Sequence, residues 1–131
     1  MITFRLDERS GVPTYLQLIE QVRSAVRYGM LRPGDQLPTA RDVVAQLAIN
    51  PNTVLKAYRE LERGGVVKSF PGRGTFVTDE APRPVARAVH EPLRRALRRW
   101  IADARRAGLD RDAIADLLGL GLRDAFEEEI A

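Results

Sequence analysis

The sequence predicts an α+β fold in which three helices and a β-hairpin are followed by two further helices. Three observations lead to this prediction. Apolar residues recur at intervals of three and four in five segments, which is the spacing of one helix face. Two short apolar runs flank a glycine-containing turn, as in a hairpin. A linker with acids and two prolines, residues 79–84, separates an N-terminal domain, 1–78, from a helical region, 85–131.

Composition places the chain among ordinary globular proteins and disfavours an enzyme. Hydrophobic residues make up 44% and charged residues 30%. Cysteine is absent, which excludes disulfides, thiolate metal sites and a cysteine nucleophile, and His90 is the one histidine. No apolar run approaches the ~20 residues of a membrane span. We therefore expect a cytoplasmic protein without a catalytic site, metal, cofactor or membrane partner.

The positive charge of the chain is distributed unevenly. There are 21 basic residues, of which only 2 are lysines, and 18 acidic residues, giving a net charge of +3. Residues 1–78 carry 11 basic and 7 acidic side chains, whereas residues 79–131 carry 10 and 11. Arginine is well suited to binding phosphate, although a GC-rich genome would produce the same excess over lysine. The positive excess lies in the N-terminal domain.

The N-terminal domain begins with a predicted strand and a predicted helix. Residues Ile2–Leu6 alternate in the manner of a short strand. A turn at Gly11–Pro13 leads into a helix over 13–28, which Gly29 ends. Four residues of this helix recur on one face: Tyr15, Ile19, Val22 and Val26.

Two short helices follow, each with a clear start signal. Thr39 is a predicted N-cap for a helix over 40–48, and Asp42 can complete a capping box with it. Asn50 then caps a third helix, in which Pro51 occupies the first position. The apolar face of the third helix comprises Val54, Ala57, Tyr58 and Leu61. Two short helices joined by a tight turn indicate a helix-turn-helix, although any helical hairpin could share the pattern.

A hairpin completes the N-terminal domain. Residues 66–70 and 75–78 are two short predicted strands, joined by a turn over 71–74. Three helices followed by such a hairpin are the order of a winged helix-turn-helix. Arg73 lies between two glycines at the exposed tip of the predicted wing.

The helical region contains two predicted helices of opposite charge. The first covers 91–107 and is rich in arginine, Gly108 ends it, and Asp110 caps the second. Gly119 and Gly121 predict a bend or a close helix contact in the second helix. Its apolar residues and its acidic end are Ile114, Leu117, Leu118, Leu122, Phe126, Ile130, and Glu127, Glu128, Glu129. So small a unit buries little apolar surface alone, so we expect a second copy of the chain to complete it.

These residues together resemble the GntR family of bacterial transcription regulators, and within it the YtrA-like subfamily. The resemblance spans residues 13–77 and is carried by five motifs: Pro13-x-Tyr15-x-Gln17, Gly29-x-Leu31-x-Pro33-Gly34, Leu37-Pro38-Thr39-x-Arg41, Asn50-Pro51-Asn52-Thr53-Val54-x-x-Ala57-Tyr58-x-x-Leu61, and Gly72-x-Gly74-Thr75-Phe76-Val77. It implies binding to a double-stranded DNA operator and a short helical region for dimerisation. Thr39 stands where the family usually has serine, which leaves the cap intact.

The start of the third helix is the predicted centre of the DNA-binding surface, because this part of a helix-turn-helix enters the major groove. Asn50 lies at the positive end of the helix dipole, where a phosphate fits. Asn52 could pair with adenine, Lys56 could reach guanine or phosphate, and Thr53 could bind phosphate. The same residues would also suit an ordinary capped helix with a polar surface.

Two arginines extend this predicted surface. Arg41 lies at the start of the second helix, where the helix dipole disfavours a cation, so a phosphate or base contact explains it better. The resemblance also implies a DNA contact at Arg41. Arg73 could enter a minor groove or meet a phosphate, or it could remain a solvated turn residue.

The predicted function is that of a homodimeric repressor on a palindromic operator. The resemblance implies an operon for a transporter, including the regulator's own gene. A winged-helix module that binds protein partners is the alternative. The sequence leaves open whether a small-molecule effector exists.

Overall fold

A computed structural model of the chain describes residues 2–127. Over this range the elements in chain order are α1 Thr14–Arg27, α2 Ala40–Leu47, α3 Pro51–Arg63, β1 Val67–Phe70, β2 Gly74–Val77, α4 Arg87–Arg106 and α5 Arg111–Glu127. The predicted α+β winged helix-turn-helix is confirmed. The chain divides into two compact units, of which the first ends at Arg87 and the second begins at Ala88.

The core of the first unit lies between its three helices and the hairpin. The apolar faces predicted for α1 and α3 are the faces that are buried. Side chains with almost no exposure come from every layer of this unit: Leu18, Val22, Leu37, Val43, Val54, Leu61 and Val67. Burying each such side chain contributes about 1.5–3 kcal/mol, so the packing of α1 against α3 holds the first unit together.

Local caps position α2 and α3, as the sequence predicted. The Thr39 hydroxyl accepts a hydrogen bond from the backbone N–H of Asp42, and the Asp42 carboxylate accepts one from the backbone N–H of Thr39. Asn50 caps α3, which begins at Pro51. Ala48 ends α2 in a left-handed conformation with φ of 53°, which turns the chain sharply into α3.

The wing is a two-stranded antiparallel hairpin in which Val67 pairs with Val77 and Phe70 with Gly74. The outer edge of β2 is also covered, because the loop before α2 forms backbone hydrogen bonds with it. Leu37 donates to the Thr75 carbonyl, and Val77 donates to the Asp35 carbonyl, each over 2.8 Å. The wing is therefore anchored on the helical part of the unit.

The predicted strand at Ile2–Leu6 is wrong. No strand partners this segment within residues 2–127; a glutamine side chain of α1 binds its backbone instead. The Gln21 amide accepts from the Arg5 N–H and donates to the Arg5 carbonyl. Phe4 is buried, so the alternation of inward and outward residues is real, but side-chain amides rather than a ladder hold the segment.

The second unit consists of α4 and α5. Helix α4 begins at Arg87, four residues earlier than predicted, because Pro92 is accommodated inside the helix. The Asp110 side chain accepts from the Ala113 N–H and caps α5, as predicted. Helix α5 continues without interruption through both of its glycines. Apart from adjacent residues and the backbone of the helix itself, no described atom lies within 4 Å of a Cβ added at Gly119 or Gly121. The predicted residues Glu128, Glu129 and Ile130 lie outside the described range.

None of the helices between residues 2 and 127 has both the length and the apolar character needed to cross a membrane.

Candidate nucleic-acid interface

The polar side chains at the start of α3 have two roles: one caps the helix, and others are exposed to solvent. The Asn50 side-chain oxygen accepts a hydrogen bond of 2.8 Å from the Asn52 backbone N–H, and the Asn50 carbonyl accepts from Thr53 N–H. Asn50 is therefore engaged in folding through its oxygen. The Asn52 side chain is exposed, whereas Thr53 is half-buried. Asn52 presents its amide to solvent at the end of α3 that the sequence predicted to face DNA.

Lys56 lies one helical turn after Asn52 on the same side of α3 and is exposed. Its Nζ is 3.9 Å from the centre of the Tyr15 ring, which belongs to α1. An ammonium group over the face of an aromatic ring is attracted to it. The structure therefore holds the Lys56 cation at a defined place beside the start of α3.

Arg41 is the second residue of α2 and is exposed. It lies within the capping box formed by Thr39 and Asp42, so the backbone that carries it is held by two hydrogen bonds. Helix α2 packs against α3. The structure thus places Arg41 on a capped helix end, next to the helix that carries Asn52 and Lys56.

Arg73 is exposed at the tip of the wing, between Gly72 and Gly74, whose φ angles are 74° and 122°. Both angles are in the region that favours glycine. The Arg73 guanidinium lies 5.9 Å from the centre of the Phe70 ring, and the Gln36 side-chain amide donates to the Arg73 carbonyl. The tip is therefore a tight turn of defined conformation that carries one cation, Arg73.

The wing and the helices border a common groove. The Glu62 carboxylate at the end of α3 accepts a hydrogen bond of 2.6 Å from the Ser69 backbone N–H in β1. An open groove of about 610 Å³ is lined by Thr39, Glu62 and the wing tip including Arg73. The α2 cap and the wing cation thus face the same space, which brings the wing to the side of the unit where α2 begins.

Tyr58 serves the fold and does not form a stacking surface. Its hydroxyl donates to the Pro38 carbonyl, and its side chain is 6% exposed. Burial, and secondly the negative charge of Asp42, raise the pKa of the Tyr58 hydroxyl well above its usual range. This neutral hydrogen bond ties α3 to the residue that precedes the α2 cap.

Sequence reasoning missed three residues of this surface. Leu55 is 46% exposed on α3, Arg59 is exposed three residues after Lys56, and Tyr15 holds the Lys56 ammonium. Helical spacing could have found Arg59, because it lies on the same side of α3 as Lys56. Leu55 could have been found because it is apolar but does not lie on the buried face of α3.

In chemical terms, this surface combines exposed cations and amides with a protruding wing. Within the described residues there is no group of carboxylate or histidine side chains that could hold a metal ion. Exposed cations contact phosphates, and the amide of Asn52 offers a donor and an acceptor for a base edge.

Comparison with known proteins agrees with the winged fold. The family model described as "Bacterial regulatory proteins, gntR family" matches residues 14–77. Over 106 residues the chain is 37% identical to the HTH-type transcriptional repressor YtrA of Bacillus subtilis (strain 168), covering 81% of this chain and 82% of that repressor. Its structure is similar to that of YtrA from Sulfolobus acidocaldarius, a GntR-family transcription factor, with 30% identity, a TM-score of 0.54, and coverage of 76% of this chain and 97% of that one.

A further similar structure is that of the AraR DNA-binding domain in complex with operator ORR3. The identity is 28%, the TM-score is 0.50, and the match covers 59% of this chain and 93% of that one. The family model, the identity to YtrA and the winged fold agree, and this chain belongs to the GntR family of bacterial regulatory proteins.

Proposed function

We propose that this chain is a transcriptional repressor that binds a palindromic DNA operator as a homodimer. The observation that carries the proposal is the joint exposure of Asn52 and Lys56 at the start of α3, together with the exposed wing cation Arg73. Similarity to the AraR DNA-binding domain, whose structure is that of a complex with an operator, supports DNA binding by this chain.

In the proposed complex, the N-terminal half of α3 enters the major groove. Asn52 pairs with the edge of an adenine, and Lys56 reaches a guanine or a phosphate. Thr53 and the capped end of α3 with Asn50 bind a phosphate, and Arg41 binds a second one. Arg73 reaches a minor groove beside the half-site.

The second unit supports assembly into a dimer. Its buried side chains in the described range are Ala104 and Ile114, whereas eight large apolar residues of its helices are exposed: Val89, Leu93, Leu97 and Trp100 on α4, and Leu117, Leu120, Leu122 and Phe126 on α5. Apolar surface of this extent marks an interaction site. A second copy would cover it and place two winged units on the two halves of a palindrome.

The resemblance to YtrA-like regulators points to an operon for a transporter, including the regulator's own gene. The test begins with fragments of the source genome that the purified protein retains at moderate salt. Transcription from the retained promoters is then measured in vitro with and without the protein. We expect reduced transcripts from a transporter promoter. Increased transcription would contradict the role of a repressor. Retention of genome fragments without enrichment of promoters would contradict binding to an operator.

A further inference from the structure

Lysine is rare in this chain, and both lysines lie over aromatic rings. Of the 21 basic residues, only Lys56 and Lys68 are lysines. The Lys56 Nζ is 3.9 Å from the centre of the Tyr15 ring, and the Lys68 Nζ is 5.5 Å from that of Phe70. The shorter distance belongs to the lysine at the proposed DNA-binding end of α3.

The Tyr15 ring is fixed relative to α3. Tyr15 is the second residue of α1 and is half-buried. Helix α1 packs against α3 through fully buried side chains, among them Leu18 on α1 and Val54 on α3. Tyr15 also packs against this core, so its ring is more restricted than the exposed side chain of Lys56.

The contact restricts a side chain that is otherwise free. Lysine has four rotatable side-chain bonds and loses much rotamer freedom when its ammonium is held at a contact. An ammonium already attracted to a ring face has part of that freedom removed before DNA arrives. The remaining face of the ammonium keeps its hydrogen atoms for a second partner.

We infer that Tyr15 is a positioning residue, which holds the Lys56 ammonium in place for DNA before binding. This inference rests on the proposed function, because it requires Lys56 to contact the operator. It assigns to the aromatic residue of α1 an effect on DNA affinity without any contact between Tyr15 and DNA.

The free protein supplies the first test. The aromatic ring shifts the NMR signals of the Lys56 ε-methylene protons upfield. We expect this shift to persist in Tyr15→Phe, which keeps the ring, and to vanish in Tyr15→Leu. An unshifted Lys56 signal in the unmodified protein would overturn the inference without reference to DNA.

The second test is a double-mutant cycle with Tyr15→Leu and Lys56→Met. The probe is a duplex that carries the strongest site selected from random DNA. We expect Tyr15→Leu to weaken binding on the order of fivefold and Tyr15→Phe to change it little. With Met at position 56, Tyr15→Leu should have no further effect, because the cation it acts through is gone.

The salt dependence separates positioning from general damage. Lys56→Met should reduce the magnitude of the slope of log affinity against log salt, by about 0.9 where Lys56 contacts a phosphate. Tyr15→Leu should weaken binding and leave that slope unchanged. If Tyr15→Leu unfolds, pentafluorophenylalanine at position 15 keeps the ring shape while removing its attraction for a cation, and should weaken binding similarly.

The outcomes distinguish this inference from the proposed function. Weaker binding by Lys56→Met together with unchanged binding by folded Tyr15→Leu would overturn the positioning role alone. Unchanged binding by Lys56→Met would overturn the DNA contact of Lys56 and the positioning role together. Failure of the unmodified protein to select any DNA site would overturn the proposed function itself.

Discussion

At the scale of single residues, two asparagines two positions apart have different roles. Asn50 uses its side-chain oxygen to cap α3, so its replacement affects folding as well as binding. The Asn52 side chain is exposed and is therefore available to a base. In the proposed complex, recognition uses exposed side chains such as Asn52 and Arg41, which cap no helix, and Lys56, which is held over the Tyr15 ring.

Replacing Arg41 with alanine should weaken operator binding on the order of tenfold to a hundredfold, because a charge-assisted hydrogen bond to phosphate is lost. Thermal unfolding should change little, since Arg41 is exposed. Fluorescence anisotropy with a labelled operator duplex gives the affinity.

The matched control for Arg41→Ala is Arg23→Ala. Arg23 is an exposed arginine of α1 whose guanidinium lies near Gly64, at the far end of α3 from Asn50. The Arg23→Ala variant loses one positive charge, as Arg41→Ala does, but at a position away from the proposed DNA face. Equal losses from the two variants would mean that net charge, and not an Arg41 contact, governs binding.

Because the Tyr58 hydroxyl is buried, the free energy of unfolding should vary with pH in the alkaline range. Its pKa is raised in the folded state and lies near its ordinary value of about 10 in the unfolded chain. As the pH rises above that ordinary value, the unfolded state loses the proton and the folded state keeps it. The free energy of unfolding should then fall by about 1.4 kcal/mol per pH unit until the pH reaches the folded-state pKa.

Tyr58→Phe tests this dependence. Near neutral pH the variant should be less stable by about 1–2 kcal/mol, because the buried Pro38 carbonyl loses its donor. Urea unfolding at pH values from 8 to beyond about 10 should show the difference between the two proteins shrinking as the pH rises. Parallel curves throughout would contradict the raised pKa.

At the scale of elements, the wing depends on a turn that only glycine adopts easily. Gly74 has a φ of 122°, and a Cβ there would overlap the Gln36 side-chain amide. Gly74→Ala should therefore destabilise the protein by about 1–3 kcal/mol and weaken operator binding. Thermal unfolding and anisotropy measure the two effects.

Gly11→Ala is the control for the wing. Gly11 has no positive φ, and a Cβ at that position meets open space. Its stability and operator affinity should match those of the unmodified protein. A Gly74→Ala variant as stable as Gly11→Ala would show that the turn tolerates a side chain.

The sequence predicts elements well where local chemistry determines them. The capping box of Thr39 and Asp42 and the Asn50 cap depend on residues within three positions, and the structure contains both. The strand predicted at Ile2–Leu6 is wrong because the partner of this segment is a glutamine of α1, 16 residues away from Arg5. Alternation alone cannot distinguish a strand from an extended segment held by side chains.

In the candidate site too, features set by local sequence could be predicted, whereas contacts between helices could not. The spacing of α3 identified its exposed polar residues, but periodicity assigned Tyr15 only to an apolar face. Its contact with Lys56 joins two helices and depends on how they pack, which no local pattern encodes. Arg59 was predictable in principle, since it lies on the exposed side of α3.

At the scale of the whole molecule, the proposed dimer is held by exposed apolar residues of the second unit. Leu93 is 68% exposed and Leu97 is 45% exposed, one helical turn apart. Replacing both with aspartate should convert the dimer to a monomer, because two charges cannot be buried without partners. Sedimentation equilibrium measures the mass of the species in solution.

Ala102→Asp is the control for dimerisation. Ala102 is exposed and lies nine residues after Leu93, on the opposite side of α4. This variant should remain a dimer. The monomeric variant should bind a complete operator far more weakly than the dimer, because the second half-site contact is no longer intramolecular. Unchanged mass for both variants would place the dimer contact elsewhere.

The most direct test of sequence-specific recognition by a dimer is selection of bound duplexes from randomised DNA, repeated at several salt concentrations. We predict enrichment of a two-fold symmetric site whose halves are separated by about one helical turn or a multiple of it, with affinity falling steeply as salt rises. Salt-sensitive binding without any enriched sequence would contradict sequence-specific recognition by a dimer.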